Sequence, residues 1–154
     1  MKISEVLDKG AIKLDLKATT KEGTLKELVD VLAQIEDIGD PKGILKALVE
    51  RENLGSTGIG QGIAIPHGKT DKVSRLIAVL GISKFGIDFD ALDGEPVYIF
   101  VLLVAPKATA GPHLKALAQI SRLLRDTYFC ELIRKCKTEE EVFNLIKNEE
   151  EKKH

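Results

Sequence analysis

Nine consecutive uncharged and mostly apolar residues, "VYIFVLLVA" at 97–105, constrain the fold more than any other feature of the chain. The run does not alternate polar and apolar positions, which is typical of a strand buried on both faces. A second, nearly continuous apolar run, "RLIAVLGIS" at 75–83, precedes it. Together with the helical segments around them, these runs predict an α/β domain in which helices cover both faces of a mixed sheet.

The segments outside these two runs show clear local signals. Alternation in "AIKLDL" at 11–16 predicts a short strand. Thr24, with Glu27 three residues later, predicts a capped helix start. Asp40 and Pro41 predict the start of a second helix, which runs towards Arg51. The inward stripe of the first helix is predicted to be Leu25, Leu28, Val29, Leu32 and Ala33. Asp93 and Gly94 predict a turn, and helices are expected from Pro112, over 127–136 and over 138–148.

Length and charge limit the classes of protein to consider. The chain has 154 residues, which suits one domain over 1–148 with a charged tail over 149–154. Its net charge of −1 gives no electrostatic case for nucleic acid or an anionic membrane. No apolar run approaches the ~20 residues of a membrane span, so we expect no membrane insertion and a cytoplasmic location. Cys130 and Cys136 are predicted to be reduced packing or surface thiols.

A glycine-rich segment, "GIGQGIAIPHGKT" at 58–70, is the strongest candidate for a functional site. Its glycines let the backbone approach a ligand closely, and consecutive N–H groups can bind an anion. Ser56 and Thr57 add hydroxyl groups just before it. "GIAIP" is predicted to be a strand that stops at Pro66, so that His67 emerges at its end. The alternative is a flexible loop with an ordinary surface histidine. The spacing fits neither a P-loop nor a Rossmann fingerprint.

Two distant residues could complete such a site. His113 follows Pro112 and is predicted to lie at the start of a helix, where an anion is favoured; the alternative is a solvated first-turn residue. Arg51 could hold phosphate oxygens bidentately, or could merely complement the dipole of its helix. A neutral imidazole, an arginine and N–H donors would suit phosphoryl transfer through a phosphohistidine. A zinc site is disfavoured, because His67 and His113 would need a third ligand such as Asp71.

Two stretches carry a resemblance to a known family. "RENLGSTGIGQGIAIPHG" and "FVLLVAPKATAGPHLKALAQISRLLRD" resemble the type 2 IIA domains of the bacterial phosphoenolpyruvate-dependent sugar phosphotransferase system, or PTS. This family comprises fructose/mannitol-type domains and the nitrogen-regulatory IIA protein. The resemblance covers essentially the whole chain. It implies a mixed five-stranded sheet flanked by helices.

The resemblance also implies roles for individual residues. His67 would be phosphorylated, His113 would face it, and Arg51 would pair with the phosphoryl group. Ser56, Thr57, Gly58 and Gly62 would bind phosphate through hydroxyl and backbone groups. Some relatives carry an acidic residue where this chain has Gln61, which puts an acidic role there in doubt.

Two functions follow from this resemblance. The first is a sugar-transport phosphotransferase that accepts phosphate from HPr and passes it to a IIB protein, with a functional link to a membrane IIC component. The second is a regulatory protein whose phosphorylation state controls binding to a transporter or kinase. Neither requires a metal or another cofactor.

Overall fold

The computed structural model describes residues 2–36 and 38–152 as one α/β domain. Within these residues the order is α1 (Ile3–Val6), β1 (Leu7–Lys13), α2 (Lys21–Ile35), α3 (Pro41–Leu54), β2 (Gly58–Gly60), β3 (Ile63–Ala64), β4 (His67–Lys69), β5 (Ile77–Ile87), β6 (Val97–Ala105), α4 (Ala110–Leu123), α5 (Thr127–Lys135) and α6 (Glu139–Glu151).

The sheet is mixed, and β6 is its central strand, as the apolar run at 97–105 predicted. The strand order is β1-β5-β6-β3-β2, and β4 also pairs with β6. β5 runs antiparallel to β6, whereas β3 and β4 run parallel to it. Since β3 and β4 are two parts of one interrupted line beside β6, the six strand segments occupy five positions across the sheet. The predicted mixed sheet is confirmed.

Neighbouring residues of the central strands point to opposite helical layers. Leu80 pairs with Val101, and both line a small apolar cavity that is closed by residues of α1, α4, α5 and α6. Gly81 pairs with Phe100 on the other face, where a Cβ on Gly81 would lie 2.8 Å from Leu28 of α2. The period-two alternation of a strand thus divides the core into two layers, and helices cover both, as predicted.

Helix α2, whose start was predicted at Thr24, begins earlier than that capping pattern indicated. The N-cap of α2 is Thr20, whose side chain accepts a hydrogen bond from the Gly23 N–H. Thr24 is instead buried inside the helix and donates its hydroxyl hydrogen to the Thr20 carbonyl. Glu27 does not cap this helix, because its carboxylate accepts hydrogen bonds from the N–H groups of Lys17 and Ala18. Ala33, assigned to the inward stripe, is exposed.

Other helix boundaries agree with the sequence more closely. Asp40 caps α3 and Pro41 is its first residue, as predicted. The helices predicted over 127–136 and 138–148 correspond to α5 and α6. However, α6 continues to Glu151, past the predicted boundary at 148, and the Glu150 carboxylate accepts hydrogen bonds from the Ile3 and Ser4 N–H groups. The last two residues of the predicted tail lie outside the described residues.

Both cysteines are free thiols, as predicted. Cys130 is buried and donates a hydrogen bond from Sγ to the Leu124 carbonyl. Burial raises the pKa of its thiol to about 11, so it stays protonated at neutral pH. In the described part of the chain, no helix is both long and apolar enough to cross a membrane.

Candidate functional site

The sequence predicted that His67 follows the last paired residue of its strand. In the structure His67 lies within the sheet instead. Pro66 interrupts the line of β3, since it has no N–H to donate, but its carbonyl still accepts a hydrogen bond of 2.9 Å from the Leu103 N–H. Pairing with β6 therefore resumes, and His67 opposes Leu103. Leu103 is two residues beyond Val101, so His67 points to the layer that contains α4.

One hydrogen bond fixes the tautomer of His67. Its Nδ1 lies 2.7 Å from the Ile65 carbonyl oxygen. A carbonyl only accepts, so in the neutral ring Nδ1 carries the hydrogen and Nε2 carries the lone pair. The ring is half-buried. His67 therefore presents Nε2 as a nucleophile held in a defined orientation.

His113 lies beside His67, with ring centroids 5.7 Å apart and ring planes inclined at 52°. It is not the first-turn residue that the sequence predicted. α4 begins at Ala110, so the His113 N–H is bonded to the Thr109 carbonyl and is not free for an anion. The side chain is buried, with only 3% of the residue exposed.

The burial of His113 bears on which of its ring nitrogens carries the hydrogen. Among the described residues, its buried Nδ1 has no hydrogen-bond partner. A buried N–H without an acceptor is rarer than a buried acceptor without a donor, which favours the neutral tautomer with the hydrogen on Nε2. His113 then offers an N–H donor, whereas His67 offers a lone pair. The two rings are chemically complementary.

Arg51 lies in the last turn of α3, and its Nη1 donates a hydrogen bond of 2.9 Å to the Gly55 carbonyl. This contact matches the helix-terminal role that the sequence left open. Its positive charge is also close enough to lower the pKa of His67. The structure thus brings Arg51, His67 and His113 to one end of the sheet.

The hydroxyl groups before the glycine segment are already engaged in the structure. Thr57 donates from both N and Oγ1 to the carboxylate of Glu52. Ser56 donates to the Phe89 carbonyl at 2.7 Å and accepts from the Gly58 N–H at 3.0 Å. A Cβ on Gly58 would lie 2.9 Å from the Ala91 backbone, so glycine permits this close approach.

Gly62 lies away from this group. It belongs to a tight turn with Gln61, in which both residues have positive φ, and its carbonyl accepts from the Tyr98 and Ile99 N–H groups. Ile63 pairs with Ile99, whereas His67 pairs with Leu103. Four strand residues separate these pairs, or about 13 Å. Gly62 therefore shapes the β2–β3 turn and does not line the space beside His67.

Sequence reasoning missed Glu52 and Lys21. Glu52 is 5% exposed, and its Oε2 lies 3.0 Å from Lys21 Nζ. The available signal was its spacing, because Ile44, Leu48 and Glu52 repeat every four residues on the buried side of α3. No cluster of three or more His, Cys, Asp and Glu in the described ranges is arranged to hold a metal ion.

The pKa values of both imidazoles are lowered below 6.5. Burial is the main cause for each ring. The charge of Arg51 lowers the pKa of His67 further, while the bond to Ile65 and the charge of Glu52 oppose it. Proximity to His67 and Lys69 adds to the effect on His113.

We expect NMR titration to give midpoints below 6.5 for His67 and His113 in the folded protein. The urea-unfolded chain should titrate near 6.5 and serves as the control. Since the unfolded chain then binds more protons, the free energy of unfolding should fall as the pH drops from 6.5 towards the folded values. A His67 midpoint at or above 6.5 in the folded protein would contradict this account.

Comparison with known proteins agrees with the fold. Residues 5–149 match the family model described as "Phosphoenolpyruvate-dependent sugar phosphotransferase system, EIIA 2". The chain belongs to this family, whose members are phosphotransferase components of the PTS phosphorelay.

The relatives have two kinds of role. A PTS system fructose-specific EIIABC component of Bacillus subtilis is 36% identical over 146 residues; the match covers 95% of this chain and only 23% of that relative. A nitrogen regulatory protein of Bradyrhizobium diazoefficiens is 34% identical, with 95% of both chains covered. The crystal structure of nitrogen regulatory protein IIA-Ntr from Neisseria meningitidis has a TM-score of 0.87 and 30% identity, covering 94% of this chain and 98% of that one.

Proposed function

We propose that this protein is a phosphoryl carrier that accepts a phosphoryl group on Nε2 of His67 and passes it to another protein. The observation that carries the proposal is the hydrogen bond from His67 Nδ1 to Ile65, which leaves the lone pair on Nε2. The ring lies 5.7 Å from the His113 ring, and the charge of Arg51 is close enough to lower its pKa. The lowered pKa of His67 supports it, because the ring stays neutral and nucleophilic at pH 7.

The transfer is an in-line displacement. Phosphorylated HPr places its phosphoryl group next to His67, and the Nε2–P bond forms as the bond between phosphorus and the donor breaks. The ring then bears a positive charge, which is stabilised because the Ile65 carbonyl accepts the Nδ1–H. Arg51 and the Nε2–H of His113 stabilise the phosphoryl oxygens. The N–P bond stays labile, and the group passes to a IIB protein by the same steps in reverse.

Both donors of Thr57 bind Glu52 in this structure, so Thr57 serves the site by holding the loop beside His67. Ser56 and Gly58 support the loop in which Thr57 lies. We therefore keep Thr57, Ser56 and Gly58 in the proposed site and leave out Gly62.

Exposed apolar side chains around the site support a protein as the partner. Leu54 is 85% exposed and follows Arg51 by three residues, and Leu114, which is 65% exposed, follows His113. The N–H of Leu92, another exposed leucine, donates to the Gly58 carbonyl. Such side chains give a docking protein apolar area to bury around the reacting groups.

We expect this chain, incubated with enzyme I, HPr and labelled phosphoenolpyruvate, to acquire an acid-labile label of up to one phosphoryl group per chain. Omitting HPr should prevent labelling. Rapid loss of the label to a fructose- or mannitol-type IIB protein, at a rate that depends on IIB concentration, would establish a transport role. No label under these conditions would reject the phosphoryl-carrier function.

A second candidate is a regulatory IIA protein. It is favoured by the end-to-end match to a nitrogen regulatory protein and by the close structural similarity to IIA-Ntr. In that case the chain should accept the labelled phosphoryl group from phosphorylated HPr equally well. It should not pass that group to any sugar-type IIB protein. Its affinity for a transporter or kinase should then differ between the phosphorylated and unphosphorylated forms.

A further inference from the structure

The carboxylate of Glu52 is the most completely buried charge near the proposed site. It accepts the Thr57 N–H at 3.3 Å and 3.2 Å on its two oxygens and also accepts the Thr57 hydroxyl hydrogen. Lys21, from the start of α2, lies 3.0 Å from Oε2. The carboxylate is therefore charge-compensated and fully engaged, as a stable buried charge must be.

Lys21 has further contacts that keep it in place. Its Nζ lies 3.6 Å from Asp90 Oδ2 and 4.9 Å from the centre of the Phe89 ring. The Phe89 carbonyl in turn accepts the Ser56 hydroxyl hydrogen. The loop between α3 and β2 is thus attached to α2 and to the segment after β5, with Glu52 at the centre.

A short series of hydrogen bonds leads from Glu52 to His67. Glu52 fixes Thr57, and the Thr57 carbonyl accepts the Ile65 N–H at 3.0 Å. The Ile65 carbonyl accepts the Nδ1–H of His67 at 2.7 Å. Each bond sets the position of the next acceptor, so movement of Thr57 displaces the carbonyl that orients the imidazole.

We propose that Glu52 is a positioning residue for His67: by holding Thr57 it fixes the Ile65 carbonyl, and thereby the ring orientation and the Nδ1–H tautomer of His67. Glu52 acts here as a hydrogen-bond acceptor, and its charge is balanced by Lys21. The proposal rests on the proposed function only for its consequence in phosphoryl transfer, because the tautomer is a property of the unphosphorylated protein.

The matched variants are Glu52→Gln, which keeps one acceptor oxygen for Thr57, and Glu52→Met, which keeps the length of the side chain but removes both oxygens. The ¹⁵N chemical shifts of His67 report its tautomer directly. We expect Glu52→Met to shift them towards the Nε2–H form and to slow phosphorylation about tenfold to a hundredfold, since small misplacements of a reacting group have effects of this size. Glu52→Gln should stay close to the wild type in both measurements.

Thr57→Val tests the same contact if Glu52→Met does not fold. It removes the hydroxyl donor while Glu52 keeps Lys21, and it should shift the His67 signals in the same direction by a smaller amount. Wild-type His67 shifts in folded Glu52→Met, or in Thr57→Val where Glu52→Met is unfolded, would overturn the proposal. An equal change in Glu52→Gln and Glu52→Met would also overturn it, because charge would then be the cause. Failure of the wild type to accept label would instead reject the phosphoryl-carrier function and leave the tautomer result standing.

Discussion

Replacing His67 with alanine is expected to abolish phosphate uptake from phospho-HPr while the protein still folds. The half-buried ring makes one hydrogen bond, to the Ile65 carbonyl, so its loss costs about 1 kcal/mol of stability. No neighbouring group can replace it as a nucleophile. The neighbouring imidazole of His113 is buried, and its unpartnered Nδ1 favours the tautomer with the hydrogen on Nε2. Labelling with enzyme I, HPr and phosphoenolpyruvate measures uptake, and a thermal melt measures folding.

The matched control for His67→Ala is His113→Ala. It removes the second imidazole of the pair but leaves the Nε2 lone pair of His67 in place. This variant should still be labelled, more slowly, and should pass its phosphoryl group to an acceptor poorly. Full labelling of His67→Ala would place the phosphorylation site on another residue. Unchanged onward transfer by His113→Ala would remove that residue from the mechanism.

The sheet was predictable because its central strands have an unambiguous composition. An uncharged and mostly apolar run of nine residues at 97–105 has no polar face to expose, so it is expected to be buried on both faces of a sheet. In the structure β6 is buried along almost its whole length. The start of α3 was predictable for a similar reason, since Asp40 and Pro41 act locally. In both cases the decisive signal lies in residues that are adjacent in the sequence.

The errors arose where a distant contact outweighed a local pattern. Thr24 and Glu27 have the spacing of a capping box, but Glu27 binds Lys13 and the backbone of the chain before α2. α4 begins three residues before His113, at Ala110. This start is two residues earlier than the predicted one at Pro112, and His113 is buried beside His67, the partner that the family resemblance implied. Neither contact could be read from local spacing.

The candidate site was predictable in its residues but not in its connections. Arg51, His67 and His113 were each assigned from the motif, and the structure brings them together. Their support was not assigned, because no sequence motif singled out Glu52. Its position on the Ile44 and Leu48 stripe predicts burial, and a buried carboxylate requires partners such as Lys21 and Thr57.

Replacing Arg51 with alanine is expected to slow phosphorylation of the protein about a hundredfold to a thousandfold, the usual effect of losing a group that stabilises developing charge. The same change removes a positive charge that lowers the pKa of His67. The acid limb of the pH–rate profile should therefore move to higher pH. Arg51→Lys should fall between the wild type and alanine, because it keeps the charge but loses the planar, bidentate donor.

The slower phosphorylation and the shifted acid limb together distinguish a role of Arg51 in the reaction from a purely structural role at the end of α3. Arg51 also donates to the Gly55 carbonyl, so alanine could in principle act only by loosening the end of α3. Such a loss would lower the melting temperature but leave the pH profile unchanged. Arg125→Ala, at an exposed arginine after α4, controls for the general loss of one positive charge. If Arg51→Ala reacted at the rate of Arg125→Ala, Arg51 would have no part in stabilising the phosphoryl group. A slower rate together with a shifted acid limb requires the guanidinium to act on the phosphoryl group and on His67 itself.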